Sequence, residues 1–361
     1  MGVYNFIYVI TLIGLLFSFL KMKQMTNIFF LVCATLITLS VALRDGDMGN
    51  DTRNYLAYFL HPDNQSEYYY DVKYKEPLYT LFNYVVGFFT SNKYIFLFLT
   101  ALIPYTLLFY IGKKQASNLM LFVWFVLSFS IGASFFILSF SMVRQTMALG
   151  VWCVLLNHYI ENERRIDKFL IIGIVIMALF HNASLIVILP LALDRIVLSK
   201  KVMYIACIFA YFAGLLFRYT MPYITQLAIM TNKEFYLTKN MEEFLWNPLQ
   251  LLPYLGLLLV ILFYNTKEQC NNICVKSFLI SVIICGILGN MGTNLDRINM
   301  FFYIPIFLAV SSLFTQLQRE KRFIFFPLLI VFMVYFTYKY YVIFKGVYEA
   351  APLVPWHSSL S

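Results

Sequence analysis

Apolar runs about as long as a bilayer is thick recur along this chain from Tyr4 to Phe344, and no other feature limits its folding so strongly. A helix crossing the hydrocarbon core needs ~17 to 25 predominantly apolar residues. In that solvent no water satisfies backbone N–H and C=O groups, so such segments must close their hydrogen bonds internally. Composition agrees: 61% of the residues are hydrophobic, 19% aromatic and only 12% charged, against roughly a quarter charged in an ordinary soluble domain. A water-soluble globule is excluded. The expectation is an all-α polytopic membrane protein forming one transmembrane domain over residues 1–361. The first run is followed at once by Lys21, Lys23 and a second run, so it reads as a retained anchor rather than a cleaved signal.

The hydropathy pattern predicts full spans at residues 4–20, 27–43, 94–112, 118–138, 143–160, 202–217, 250–264, 277–291, 298–316 and 323–341, about ten transmembrane helices. Two stretches do not fit a single crossing. Residues 77–90 are too few, and residues 169–193 are interrupted by His181-Asn182-Ala183-Ser184 and by Pro190. Both read as half-helices, the second as a re-entrant hairpin.

Charge sets the orientation. Short cytoplasmic loops collect Lys and Arg. With the amino terminus outside, the inner loops hold fifteen basic and six acidic residues, which accounts for the whole net charge of +9. The other side then carries twelve of each sign, in two extracytoplasmic segments, residues 44–76 and 219–248, and at the outer ends of spans. Those segments interleave carboxylates with tyrosines, a mixture that suits carbohydrate, because rings offer flat apolar faces and acids accept hydroxyl hydrogen bonds. The same rings also suit an interfacial aromatic belt. No basic run exceeds Arg164-Arg165 or Lys200-Lys201, which argues against nucleic acid as a partner. Of six cysteines, Cys33, Cys153, Cys207 and Cys285 lie within apolar runs, while Cys270 and Cys274 form a lone CxxxC without a second ligand pair and read as ordinary thiols.

Chemistry concentrates in four places: Arg44 through Tyr55, including Asp51 and Arg53, followed by Glu76-Pro77; Arg144-Gln145-Thr146-Met147-Ala148; Phe180-His181-Asn182-Ala183-Ser184; and Asp296-Arg297 with Tyr303. At these points the sequence resembles the EpsG family, the Wzy-like exopolysaccharide and O-antigen polymerases. The family pattern is an Arg followed by Gly-x-Asp and Tyr after an early span, a Glu opening the next helix, Arg-Gln-x-x-Ala, Phe-His-x-x-Ser/Ala, and a late Arg before a Tyr-containing span. Here Arg44, Gly49, Asp51, Tyr55, Glu76, Arg144, Gln145, Ala148, His181, Ser184, Arg297 and Tyr303 match in order. The Asp45-Gly46-Asp47-Met48 insert departs from it and leaves open which aspartate takes which role.

The resemblance implies a GT-C-like membrane glycosyltransferase at the outer face of the bacterial cytoplasmic membrane. It would move a growing glycan from undecaprenyl diphosphate to a lipid-linked oligosaccharide repeat unit. It implies no cofactor, no metal, and a chain-length regulator as a candidate partner. Such a reaction needs a carboxylate to activate the acceptor hydroxyl and cations to hold the diphosphate leaving group. Arginine suits the second task through its planar fork. Asp51, in a Gly-Asn-Asp-Thr turn with Arg44 and Arg53 to keep it ionised, is the expected base, with Asp47, Glu76, Glu242 and Glu243 as rivals. Asp51, Glu76 and His181 are the candidate catalytic residues, and Arg44, Arg53, Tyr55, Arg144, Gln145, Arg297 and Tyr303 the candidate substrate-binding ones. For each a plainer role exists: Asp51 as a turn residue, Glu76 as a helix cap, Arg144 snorkelling to headgroups, Arg297 pairing with Asp296. Two other functions remain open, a flippase for lipid-linked oligosaccharide and an acyltransferase using His181 as base.

Overall fold

The computed structural model describes residues 2–44, 51–61, 75–115, 142–230, 251–288 and 293–350. Its regular elements among the described residues are helical: α1 (Gly2–Phe19), α2 (Lys23–Ala42), α3 (Thr52–Leu60), α4 (Pro77–Phe89), α5 (Lys93–Gln115), α6 (Val143–Glu161), α7 (Lys168–Phe180), a 3-10 turn (Asn182–Val187), α8 (Ile188–Asp194), α9 (Lys200–Met230), α10 (Leu252–Tyr264), α11 (Lys267–Cys270), α12 (Ile273–Leu288), α13 (Thr293–Arg319) and α14 (Phe325–Ala350). Among the described residues three stretches, Lys23–Ala42, Lys93–Gln115 and Ile298–Arg319, are long and apolar enough to cross a membrane, and seven shorter apolar helices accompany them. The expected span at residues 118–138 lies outside the described residues.

The short helix expected from residue 77 is α4, and its length of 13 residues is about 20 Å at 1.5 Å per residue, less than a bilayer core. The break expected within residues 169–193 is also present: α7 stops at Phe180, and His181 takes extended backbone angles (φ −160°, ψ 114°). The helix α9 continues through Arg218 to Met230, well past the expected end of its span at residue 217.

The helices assemble as two compact units, Met1–Leu185 with Phe314–Ser361, and Ile186–Leu313. In the first, α2 packs on α1 and α5, α6 on α5 and α7, and α4 on α3 and α7. Gly150 makes the α5–α6 approach close, since a Cβ there would lie 2.9 Å from the Pro104 Cα, the small-residue contact that helices in lipid use to associate. Buried hydroxyls on these helices return to their own backbone, Thr11 to the Ile7 carbonyl (2.8 Å), Thr38 to Ala34 (2.9 Å) and Thr146 to Met142 (2.8 Å). That satisfies polar groups where water is absent. Large apolar side chains face outward, Phe88 at 85% and Phe89 at 78% exposure among them, as lipid-facing surfaces require.

In the second unit α12 packs on α8, α9 and α10. The turns at one end are tied by side chains. Lys276, fully buried, donates from Nζ to the carbonyls of Asp194 (3.1 Å) and Ile196 (2.9 Å), at the negative end of α8. The Asn271 amide accepts from Leu198 N (2.7 Å) and donates to Leu198 O (2.8 Å).

Candidate active site

Three of the sequence motifs meet in the first unit on one carboxylate. Glu76 stands at the position before α4, where Pro77 supplies the fixed φ that suits a first helical residue. A glutamate there could accept from its own helix, yet its side chain makes no such bond. Its Oε2 instead takes an ion pair from Arg144 Nη1 and its Oε1 a 2.6 Å hydrogen bond from His181 Nδ1. These partners lie 68 and 105 residues away along the chain.

Apolar packing brings them together. One buried cluster contains Tyr55, Leu56, Tyr58 and Phe59 of α3, Tyr79 and Val86 of α4, Phe96 and Leu97 of α5, and Val143 of α6, with Phe180 of α7 against it. Val143 immediately precedes Arg144, Phe180 immediately precedes His181, and Tyr79 is one turn beyond Glu76. Burying these neighbours fixes the three helix ends, so the polar side chains converge without having to hold the fold themselves.

The Arg144 guanidinium also lies 5.7 Å from the centre of the Tyr55 ring, within the range of a cation–π contact. Behind it Tyr79 packs edge-on to Tyr55 (6.0 Å) and stacked on Tyr58 (6.2 Å), and the Tyr58 hydroxyl bonds Thr80 Oγ1 at 2.8 Å. Tyr58, Tyr79 and Thr80 were not among the residues expected from sequence. Their signal was present in the i, i+3 pair Tyr55/Tyr58 on a helix ahead of Glu76, but it is shared with any interfacial tyrosine.

The Glu76 side chain is only 4% exposed, while Arg144 and His181 keep 20% and 19%. Burial pushes the Glu76 carboxyl up, but the His181 hydrogen bond and the Arg144 charge outweigh it. The net effect holds the carboxyl below its ordinary value of 4.5, so Glu76 is a carboxylate at neutral pH.

The other expected residues fall as follows. Arg44 is fully buried just beyond α2, donating from Nη1 to the Val41 carbonyl. Asp51 is the half-buried residue before α3, its carbonyl accepting from Tyr55 N (3.0 Å) and its side chain not capping the helix. Arg53 is exposed on α3 and Gln145 buried on α6. Ser184 is buried, and its N–H donates to the His181 carbonyl (3.0 Å) in the 3-10 turn. Arg297 and Tyr303 belong to α13 in the second unit, where Tyr303 is buried and stacks on Phe307 at 6.4 Å. Asp45, Asp47 and Gly49 lie outside the described residues.

A family model for the EpsG family matches residues 27–353, nearly the whole chain, including Glu76, Arg144 and His181. The chain belongs to the EpsG family. That family is one of polysaccharide polymerases, which sets a glycosyltransferase-type enzyme acting on lipid-linked saccharide as the frame for the site. No curated protein and no solved structure matches the chain.

Proposed function

We propose that this EpsG-family protein is a polysaccharide polymerase of GT-C-like type. It transfers a growing glycan from undecaprenyl diphosphate to a lipid-linked oligosaccharide repeat unit at the outer face of the bacterial cytoplasmic membrane. In this reading the chain is one transmembrane domain, with residues 44–76 and 219–248 on the outer side.

The observation that carries the reading is the Glu76–Arg144–His181 cluster, a fixed cation and an imidazole sharing one carboxylate. Breaking a glycosyl–diphosphate bond leaves negative charge on phosphate, and a pre-placed guanidinium stabilises that charge without reorganising when it appears. Arg144 is pre-placed by Glu76 on one side and the Tyr55 ring on the other. Arg44, Arg53 and Arg297 supply further positive charge toward the lipid diphosphate, so the reaction proceeds without a metal. Gln145 and Tyr55, both buried, support the first unit's saccharide-binding surface from behind, Tyr303 has the same part in the second unit, and Asp51, Glu76 and His181 serve acceptor activation. A chain-length regulator is a fitting partner, since a polymerase that repeats one transfer has no stopping rule of its own.

The test is the polysaccharide of cells lacking the chain, complemented with wild type or Arg144→Ala. A polymerase leaves single repeat units in place of a ladder in the deletion and in the Arg144→Ala strain. Loss of even the single repeat makes the protein a flippase, and an unchanged ladder in the deletion rejects both.

A further inference from the structure

Resting on the polymerase reading, we infer that His181 Nε2 is the atom that takes the acceptor's proton and that Glu76 is its positioning residue. Glu76 is ionised and so can only accept hydrogen bonds. The 2.6 Å bond to His181 therefore places the proton on Nδ1. In neutral imidazole the other nitrogen, Nε2, is then an unprotonated acceptor. Nε2 has no protein partner among the described residues, and the ring keeps 19% of its surface exposed.

The surroundings support the same division of labour. Glu76 is nearly enclosed, with one oxygen on Arg144 and the other on His181. A carboxylate held below its ordinary pKa is a weak base. It is well suited, however, to fixing a tautomer and to stabilising the imidazolium that forms, the part a buried carboxylate plays beside histidine in hydrolases. Among the described residues the titratable groups around the ring are Glu76, just before α4, and Arg144 of α6, with the phenols of Tyr55 and Tyr79 behind them.

The extended backbone at His181 has a use in this scheme. It ends α7 one residue after Phe180 is anchored in the apolar cluster, turning the ring off the helix and toward Glu76.

The step balances. The acceptor hydroxyl oxygen bonds to the anomeric carbon of the donor glycan as the bond from that carbon to the diphosphate oxygen breaks. The hydroxyl proton passes to His181 Nε2 and the electron pair leaves with the lipid diphosphate, beside Arg144. The imidazolium then returns its proton to water or to the released diphosphate, restoring the neutral ring for the next unit. This gives the proton to an imidazole in place of Asp51.

The experiment uses the purified full chain in proteoliposomes with an undecaprenyl-diphosphate oligosaccharide repeat. Ladder formation by wild type establishes the polymerase reading, and its absence rejects that reading and this inference together. With the ladder present, His181→Gln is expected to lose kcat by roughly 100- to 10,000-fold, with KM for the lipid-linked repeat within about threefold of wild type. Glu76→Gln is expected to lose less, because a neutral amide still accepts from Nδ1. His181→Ala that still binds the lipid-linked repeat is expected to regain polymer when free imidazole is added, a recovery no purely structural histidine would show. A wild-type kcat in His181→Gln overturns the inference, as does a larger kcat loss in Asp51→Asn or the absence of imidazole recovery.

Discussion

Among the described residues of the first unit two histidine–carboxylate pairs occur, and their differences separate the proposed site from a turn contact. At the α6–α7 turn, His158 Nε2 meets Asp167 Oδ2 at 2.8 Å; at the other end of α7, His181 Nδ1 meets Glu76 Oε1 at 2.6 Å. Bond length does not distinguish them. Asp167 is partly exposed, caps α7 by accepting from Leu170 N (2.9 Å), and has its carboxyl lowered first by that backbone bond and then by His158. The His158 ring packs 4.5 Å from the Phe169 ring, and the Asn162 amide lies 2.9 and 3.4 Å from its two nitrogens. Every polar atom of that pair serves the turn. In the other pair the carboxylate caps nothing, a third charge is bound to it, and one imidazole nitrogen has no hydrogen-bond partner among the described residues. Enclosure, a second cation and an unfilled nitrogen set the Glu76–His181 pair apart; proximity of His to carboxylate does not.

The comparison breaks most sharply at Arg144. Arg144→Ala is expected to lower polymerisation by roughly 100-fold or more. It should also lower the melting temperature, because a nearly enclosed carboxylate loses its cation. Adding Glu76→Gln to Arg144→Ala should recover the melting temperature and not the polymer. A double variant as unstable as the single one would show that the ion pair is not what the arginine contributes. Next in size is Tyr55. Tyr55→Ala removes a contact of about 0.5–2 kcal/mol beneath the guanidinium and should raise KM for the lipid-linked repeat, with a smaller effect in Tyr55→Phe, which keeps the ring.

A third difference appears in acid. Because the folded carboxyl of Glu76 lies below 4.5, its contribution to stability is complete above that value and is lost as pH falls through the lowered one. Melting curves in detergent should therefore drop below about pH 4.5 in wild type, and less steeply in Glu76→Gln. The smallest effects belong to the control pair. His158→Gln and Asp167→Asn should leave polymer length and rate unchanged and shift melting only slightly, since the pair is partly exposed and an asparagine still caps a helix. A polymer defect in either would erase the distinction drawn here.

Much of the fold was legible in the sequence because the bilayer allows so few solutions. The short α4 followed from an apolar stretch that stops before it can span, and the end of α7 from His181 and its polar neighbours inside an apolar run. The extension of α9 to Met230 was not legible, because Arg218 and Tyr219 read as the edge of a membrane while backbone helix can continue beyond the point where hydropathy falls. Within the site, Glu76, Arg144 and His181 each stood out as a charged or polar residue at a helix end. That they share one carboxylate could not be read, because it depends on Val143, Phe180 and Tyr79 packing in a common cluster, and nothing in an apolar residue's identity says which neighbour it will bury against. Asp51 stood out more than Glu76 through its glycine-rich, arginine-flanked turn, and it is the half-buried residue before α3, with a side chain that does not cap the helix.

The distances along the chain between the three site residues carry a consequence for synthesis. Glu76 leaves the ribosome first, Arg144 follows 68 residues later and His181 after a total of 105. The acid and its counter-charge are thus both present before the histidine exists. A nascent chain that has inserted as far as α6 can already neutralise its costliest side chain, and the imidazole arrives last into a pocket whose charge is settled. In this order the carboxylate acquires its counter-charge before the imidazole is made, and released chains truncated between the end of α6 and His181 should already resist cleavage around Glu76.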